Sequence, residues 1–267
     1  MLESLLKTCA ILLTASAAFA GGELVNPFEM APSTPMPAGA SKTVWAGETL
    51  KYSVSWGVIN VGEADMKVED VVEIAGVPSY HVTSLAESNK MLDAFFKVRN
   101  VNESWINVSD LHSLGFTKRI REGAYVWDEW VAFDPQKKKY RGQTRNKKGE
   151  TSLIEGDIPG PVYDVFSAAY FVRTQDLTPG KEIVLDVNTK KNWPLIVKVH
   201  KIEKVKVPAG TFECYLVEPF LRDKGLFSQK GKSLRVWLST DKRRLPVKME
   251  AEAFIGNVAA VLTSYSK

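Results

Sequence analysis

Residues 161–180 are the one strongly helical stretch in a chain that otherwise alternates apolar and polar side chains with period two. Asp164 is placed as N-cap, where its carboxylate takes an orphan backbone N–H of the first turn, and Pro161 keeps the helix from starting earlier. Val165, Ala169 and Val172 share one face, Phe166 and Tyr170 an adjacent one, and Ala168 with Phe171 nearly closes the circle. A helix apolar most of the way round is a buried helix. Pro179-Gly180 then returns the chain to strand. The pattern predicts a plug or lid, with its helical core at 164–173, packed against a curved sheet.

The first twenty residues read as a secretory signal. Lys7 gives a short positive start, Cys9 to Phe19 is apolar but too short to span a bilayer, and Ala18-Phe19-Ala20 is a small-x-small site that predicts cleavage after Ala20. The expected location is the periplasm, with no membrane span after cleavage. Loss of Cys9 with the signal leaves Cys214 alone, which excludes an intramolecular disulfide, so stability must come from a core. Residues 21–46 hold Pro27, Pro32, Pro35 and Pro37 among Gly, Ala and Ser, and read as an extended, flexible arm. Residues 47–267 then form a single β-rich domain, its halves 47–160 and 181–267 joined by the helix.

From Gly47 the alternation is strict. Leu50, Tyr52, Val54 and Trp56 point one way; a turn at 57–62 leads to Ala64, Met66 and Val68, which make the second strand of a hairpin. Strands follow at 80–85, 101–108, 114–121 and 124–133, with a loop or short helix at 87–99. Trp127 and Trp130 fall on opposite faces, which implies a strand covered on both. After the helix, strands are expected at 183–187, 195–199, 204–207, 212–216, 234–238, 247–253 and 258–265, with a loop at 221–231. The fold class is mainly β, a curved antiparallel meander or half-barrel around one buried central helix; a β-sandwich is the alternative.

The sharpest charge feature is Lys137, Lys138, Lys139, Arg141, Arg145, Lys147 and Lys148, with no acid before Glu150. Two readings stand: contact with lipid phosphates or another anionic surface, or a solvated hairpin whose lysines block edge pairing. Export argues against nucleic acid as a partner. His81, His112 and His200 lie far apart, with no carboxylate or cysteine at ligand spacing, so no metal site or cofactor is expected. No nucleophile elbow or phosphate-cradling loop is present, and Asp128 and Glu129, adjacent on a strand, face opposite sides. Cys214 sits between Phe212 and Leu216 on an inward face and reads as a buried structural thiol. Nothing in these residues argues for an enzyme.

Several spaced motifs carry a resemblance. Gly47-Glu48-x-Leu50-x-Tyr52 with Val61-Gly62-Glu63-Ala64, Asp164-Val165-Phe166-Ser167-Ala168-x-Tyr170-Phe171-x-Arg173, Val207-Pro208-Ala209-Gly210-Thr211-Phe212, and Val236-Trp237-Leu238-Ser239-x-Asp241 with Leu245-Pro246-Val247 resemble the exported bacterial family called domain of unknown function 3108. The resemblance covers about residues 45–265 and brings no catalytic residue with it. The ending is also similar in manner to the periplasmic lipoprotein carriers, which wrap a curved half-barrel around helices to make an apolar cavity. That likeness implies a fold and not a function.

The expectation for function is a periplasmic binding or carrier protein for an apolar or lipid-like ligand. Trp56, Phe95, Phe96, Phe166 and Phe171 are the candidate groove residues, and the basic run is the candidate contact for an anionic head group or envelope surface. The alternative is an envelope structural or interaction protein with a solid interior, docking on another envelope protein.

Overall fold

The computed structural model describes residues 26–30, 45–188, 192–221, 233–252 and 256–267. The signal with its cleavage site, most of the arm and most of the 221–231 loop lie outside these residues. Fourteen strands form one antiparallel sheet. The first eight are β1 (Thr49–Trp56), β2 (Ile59–Ile74), β3 (Val77–Ser88), β4 (Arg99–Asn107), β5 (Ser113–Glu122), β6 (Tyr125–Asp134), β7 (Lys139–Asn146) and β8 (Thr151–Asp157). The remainder are β9 (Glu182–Asn188), β10 (Asn192–Val207), β11 (Gly210–Leu221), β12 (Leu234–Ser239), β13 (Pro246–Glu252) and β14 (Asn257–Ser266). Each half is a meander, and β1 pairs with β14, so the two halves are one continuous sheet with β8 and β9 at its edges. A single sheet excludes the sandwich alternative. The sheet is curved but not closed into a barrel.

Helix α1 is the short Pro27–Met30 turn, α2 is Lys90–Asp93, and α3 is Val165–Thr174. Of the loop or short helix expected within 87–99, the structure forms the short helix α2, capped by the Asn89 side chain. Strands β2 and β10 run much longer than the alternation implied. Each carries a bulge, between Val68 and Val71 and between Val199 and Lys201, that resets the alternation mid-strand and bends the strand. That reset is why β10 reads in sequence as two strands.

The α3 helix lies on the concave face between the halves. Asp164 caps it as expected: Oδ1 accepts from the Phe166 and Ser167 N–H groups, and the Ser167 hydroxyl takes the Asp164 N–H in return. Its packed residues join Val68, Tyr80, Val82 and Ile106 of one half to Leu185, Val197, Val217 and Leu238 of the other. Burial is less complete than the apolar pattern implied. Val165 and Ala169 face outward, while the most enclosed side includes Ser167, Tyr170 and Arg173. A second cluster packs Leu50 and Tyr52 of β1 against Cys214, Leu216, Trp237, Val247 and Leu262 of the C-terminal half. Cys214 has no exposed surface, and burial pushes its thiol up to about 12, as a structural cysteine requires.

The flexible arm needs one correction. Within it, residues 26–30 are docked: the Phe28 ring stacks on Trp105 at 4.1 Å and 8°, and Phe28 is buried. Trp105 stacks in turn on His81 at 5.0 Å. Gly115 makes room for this, since a Cβ there would stand 2.3 Å from the Phe28 ring and 2.6 Å from the Val131 carbonyl. Burial of an aromatic side chain outweighs the entropy of ordering so short a stretch.

Candidate functional site

Cross-strand register places one row of side chains along the inner wall of the N-terminal half: Asn102 on β4 opposite Lys118 on β5, Lys118 opposite Glu129 on β6, and Glu129 opposite Thr144 on β7. All four are buried. Alternation puts them inside because Ser104, Phe116 and Val131, two residues along, face α3 and the core; Ser104 donates to the Asp164 Oδ2 at 2.5 Å. The Trp127 indole N–H donates to Glu129 Oε2 at 3.0 Å, while Glu129 Oε1 and Asn102 Oδ1 find no partner among the described residues. An unsatisfied buried acceptor costs about 1–3 kcal/mol, so two on one wall mark a place where something else is meant to donate.

Beside this row lies an open cavity of about 390 Å³, lined by Trp127, Tyr140, Thr144, Leu153, Ile154 and Glu155, with Leu153 and Glu155 exposed at its mouth. Its walls come from β6, β7 and the edge strand β8. Gly156 permits the Tyr140 ring to lie flat on β8, since a Cβ there would meet that ring at 2.6 Å. Thr144 belongs both to the cavity and to the polar row, and Trp127, which lines the cavity, donates to Glu129, so the Glu129 carboxylate adjoins the cavity wall. The site offers aromatic and aliphatic surface for an apolar body and, beside it, the Glu129 carboxylate as an acceptor for a donor.

A second buried polar group fixes α3. Arg173 forms a fork on Glu48, Nη1 to Oε2 at 2.7 Å and Nη2 to Oε1 at 2.5 Å, and the Tyr170 hydroxyl donates to Glu48 Oε2 at 3.0 Å. Nη2 also donates to the Arg243 carbonyl at 3.0 Å. Burial, the largest single influence, would lower the Arg173 pKa; the hydrogen bonds and charge of the Glu48 carboxylate, with the Tyr170 and Tyr52 hydroxyls, together outweigh it and the net shift is upward. Burial, reinforced by the Glu48 charge, holds Tyr170 protonated far above its ordinary value. Asp164 is raised by burial, against the hydrogen bonds of Ser104, Ser113 and the helix N–H groups. These contacts pin α3 at both ends, which suits a fixed plug and not a gate.

The groove residues expected from sequence do not come together at this cavity. Phe166 and Phe171 pack beside the central core, Phe171 at 4.7 Å from the Tyr163 ring. Trp56, Phe95 and Phe96 stand instead at one rim of the sheet, and Phe95 is 86% exposed. The basic run also disperses. Lys137 and Lys138 occupy the β6–β7 turn, Lys147 and Lys148 the β7–β8 turn, and the whole of β7 with Lys139, Arg141 and Arg145 lies between them. Acids outside the run answer part of it: Lys137 bonds the nearby Asp134 at 2.7 Å, Lys139 bonds the more distant Asp157 at 2.6 Å, and Arg145 stands opposite Asp128 on the neighbouring strand. The edge strand itself is β8, one residue row away from these lysines.

Each histidine meets an acid in space. His81 bonds Glu103 at 2.9 Å, His200 bonds Glu218 at 2.8 Å, and His112 lies 3.4 Å from Asp110. The polar row was invisible beforehand because its members are separated by eleven or more residues; the one available signal was a lysine, Lys118, at an inward position of a strand.

The model of the family described as Protein of unknown function (DUF3108) matches residues 51–263. The chain belongs to the DUF3108 family. Among solved structures, this DUF3108 protein is similar to a beta-barrel-like protein of the domain of unknown function DUF1849 from Brucella abortus, with a TM-score of 0.55 and 7% identity over 83% of this chain and 98% of that one. A protein described as exported, with a YmcC-like fold, from Bacteroides fragilis aligns with a TM-score of 0.36 and 10% identity over 83% and 96% of the two chains. A protein described as a lipoprotein from Parabacteroides distasonis gives 0.29 and 11% over 83% and 95%. No curated protein matches the chain. The first likeness supports the fold: a strongly curved, barrel-like sheet shared across divergent sequences.

Proposed function

We propose that this DUF3108 protein is a non-enzymatic periplasmic binding protein whose ligand has an apolar body and a hydrogen-bond donor at one end. The observation that carries the reading is the cavity at β6–β8 backed by buried acceptors: Trp127, Tyr140, Leu153 and Ile154 line it, and Glu129 with its free Oε1 stands behind Trp127 and Thr144. Its volume of about 390 Å³ is that of a small-molecule site. Location in the periplasm rests on the N-terminal signal pattern. The Glu129 carboxylate defines the ligand's polar end: a hydroxyl or ammonium group fits.

The test is native mass spectrometry with solvent extraction on protein recovered gently from its own envelope, beside Thr144→Trp, which fills the cavity from its floor. A stoichiometric amphipathic molecule on the wild type and none on T144W supports the reading. An apo mass that stays apo when hydroxylated and amine-bearing lipids are offered overturns it and leaves docking on an envelope protein as the function to pursue.

A further inference from the structure

The end of the sheet that carries the β1–β2, β3–β4, β5–β6 and β7–β8 connections exposes large apolar side chains on neighbouring tips. Val58, at the β1–β2 turn, is 101% exposed, and Trp56 and Ile59 beside it are about half exposed. Phe95, Phe96 and Met91 project from the α2 connection. The two tips are tied together: the Asn89 side-chain amide donates to the Asn60 carbonyl at 2.8 Å and to its side chain at 3.0 Å, and the Asn89 N–H bonds the Val61 carbonyl. Phe96 lies over Gly123 of the β5–β6 turn, and the Gly123 N–H bonds the Lys97 carbonyl, which extends the rim to that turn. Isolated exposed apolar residues are ordinary, but six on adjoining, mutually braced tips are a recognition surface.

Charge at this rim decides what it recognises. Glu87 and Asp93 are both engaged by Arg99, at 3.4 and 2.6 Å, and Glu150 bonds Asn146 and lies 3.8 Å from Lys148. Lys90, Lys97 and Lys147 are exposed and make no ion pair among the described residues. The rim is therefore apolar at its protruding points, with three unpaired lysines around them against one unpaired acid among the described residues, Glu63, which stands opposite Glu87 on the β2 side. Protruding tips of this kind suit a medium that gives way around them, and the flanking ammonium groups suit phosphate at its surface.

We infer that this rim docks the protein on the surface of an anionic phospholipid bilayer, with Val58 and Phe95 inserted at the headgroup level and Lys90, Lys97 and Lys147 among the phosphates. The surface is separate from the β6–β8 cavity and holds whether or not that cavity binds a ligand.

The experiment is co-sedimentation of the exported chain, as recovered from expressing cells, with vesicles of phosphatidylethanolamine and phosphatidylglycerol or of phosphatidylcholine alone. The variants are Val58→Ser with Phe95→Ser, and Lys90→Gln with Lys97→Gln and Lys147→Gln. All share the same N-terminal residues, so the apolar leader cannot create a difference between them. Binding to the anionic vesicles should weaken with salt, fall by roughly tenfold or more in V58S/F95S, and fall about fivefold for each lysine removed, with thermal midpoints unchanged because every altered side chain is exposed. Equal binding by wild type and V58S/F95S, or equal binding to neutral vesicles, overturns the inference. So does a wild type that ignores vesicles and self-associates through these residues, since the rim would then belong to a second copy.

Discussion

Removal of the Arg173 side chain isolates the interaction on which the placement of α3 depends. The Glu48 carboxylate is buried and takes two hydrogen bonds from the Arg173 guanidinium and one from the Tyr170 hydroxyl. In Arg173→Met the chain length is kept, but Glu48 retains only Tyr170 and stays enclosed by the Trp45, Tyr170 and Arg243 surroundings that now contact Arg173. Breaking a buried pair by removing one partner costs about 3–5 kcal/mol, most of it the cost of a charge left without a counter-charge. With a urea slope near 3 kcal/mol/M, the unfolding midpoint should fall by about 1–2 M. Glu48→Gln added to R173M removes the stranded charge and should recover roughly 2 kcal/mol. The assay is urea unfolding followed by tryptophan fluorescence for wild type, both single variants and the double. A loss below about 1 kcal/mol in R173M, or a double variant no more stable than R173M, would refute the claim that this pair holds α3 in place.

Two further outcomes follow from the same packing. Burial raises the Asp164 pKa above that of an unfolded aspartate, so the unfolded chain ionises first as pH rises through about 4 and folded stability declines until the folded carboxyl also ionises. Asp164→Asn keeps the cap and removes this titration; the wild type should therefore gain on D164N as pH falls from 7 towards 4, whereas Asp164→Ala should lose about 1–2 kcal/mol throughout, and thermal melts at pH 4.5 and 7 that show the reverse order would contradict the assignment. Gly115→Ala places a methyl group against the Phe28 ring and, less forgivingly, against the Val131 carbonyl. It should destabilise the β5–β6 pairing and expose residues 26–30 to protease, with Phe28→Ala producing the second effect alone; an arm equally protected in all three proteins would show that the Phe28 stack does not hold it.

The sequence determined most of the elements, though it offered β7 and β8 only as a basic hairpin. Period-two alternation, the turns at Gly57, Gly76, Gly180 and Gly210, the Asp164 cap and the inward Cys214 follow from local propensity and side-chain parity, which the chain expresses residue by residue. The opposed faces of Asp128 and Glu129 were legible for the same reason. Tertiary structure alone decided how strands sixty or more residues apart line up. Pairing of β1 with β14 makes one sheet of two meanders, bulges bend β2 and β10, and the resulting curvature brings Glu48 to Arg173; the register of the consecutive strands β4 to β7 separately sets Asn102, Lys118, Glu129 and Thr144 in one row. Large aromatic side chains look alike in sequence whether they end in a core, as Phe171 does, or on an exposed tip, as Phe95 does. Hydrophobicity reports that such a residue gains from burial, while the sheet's curvature determines whether the fold itself supplies the burying surface.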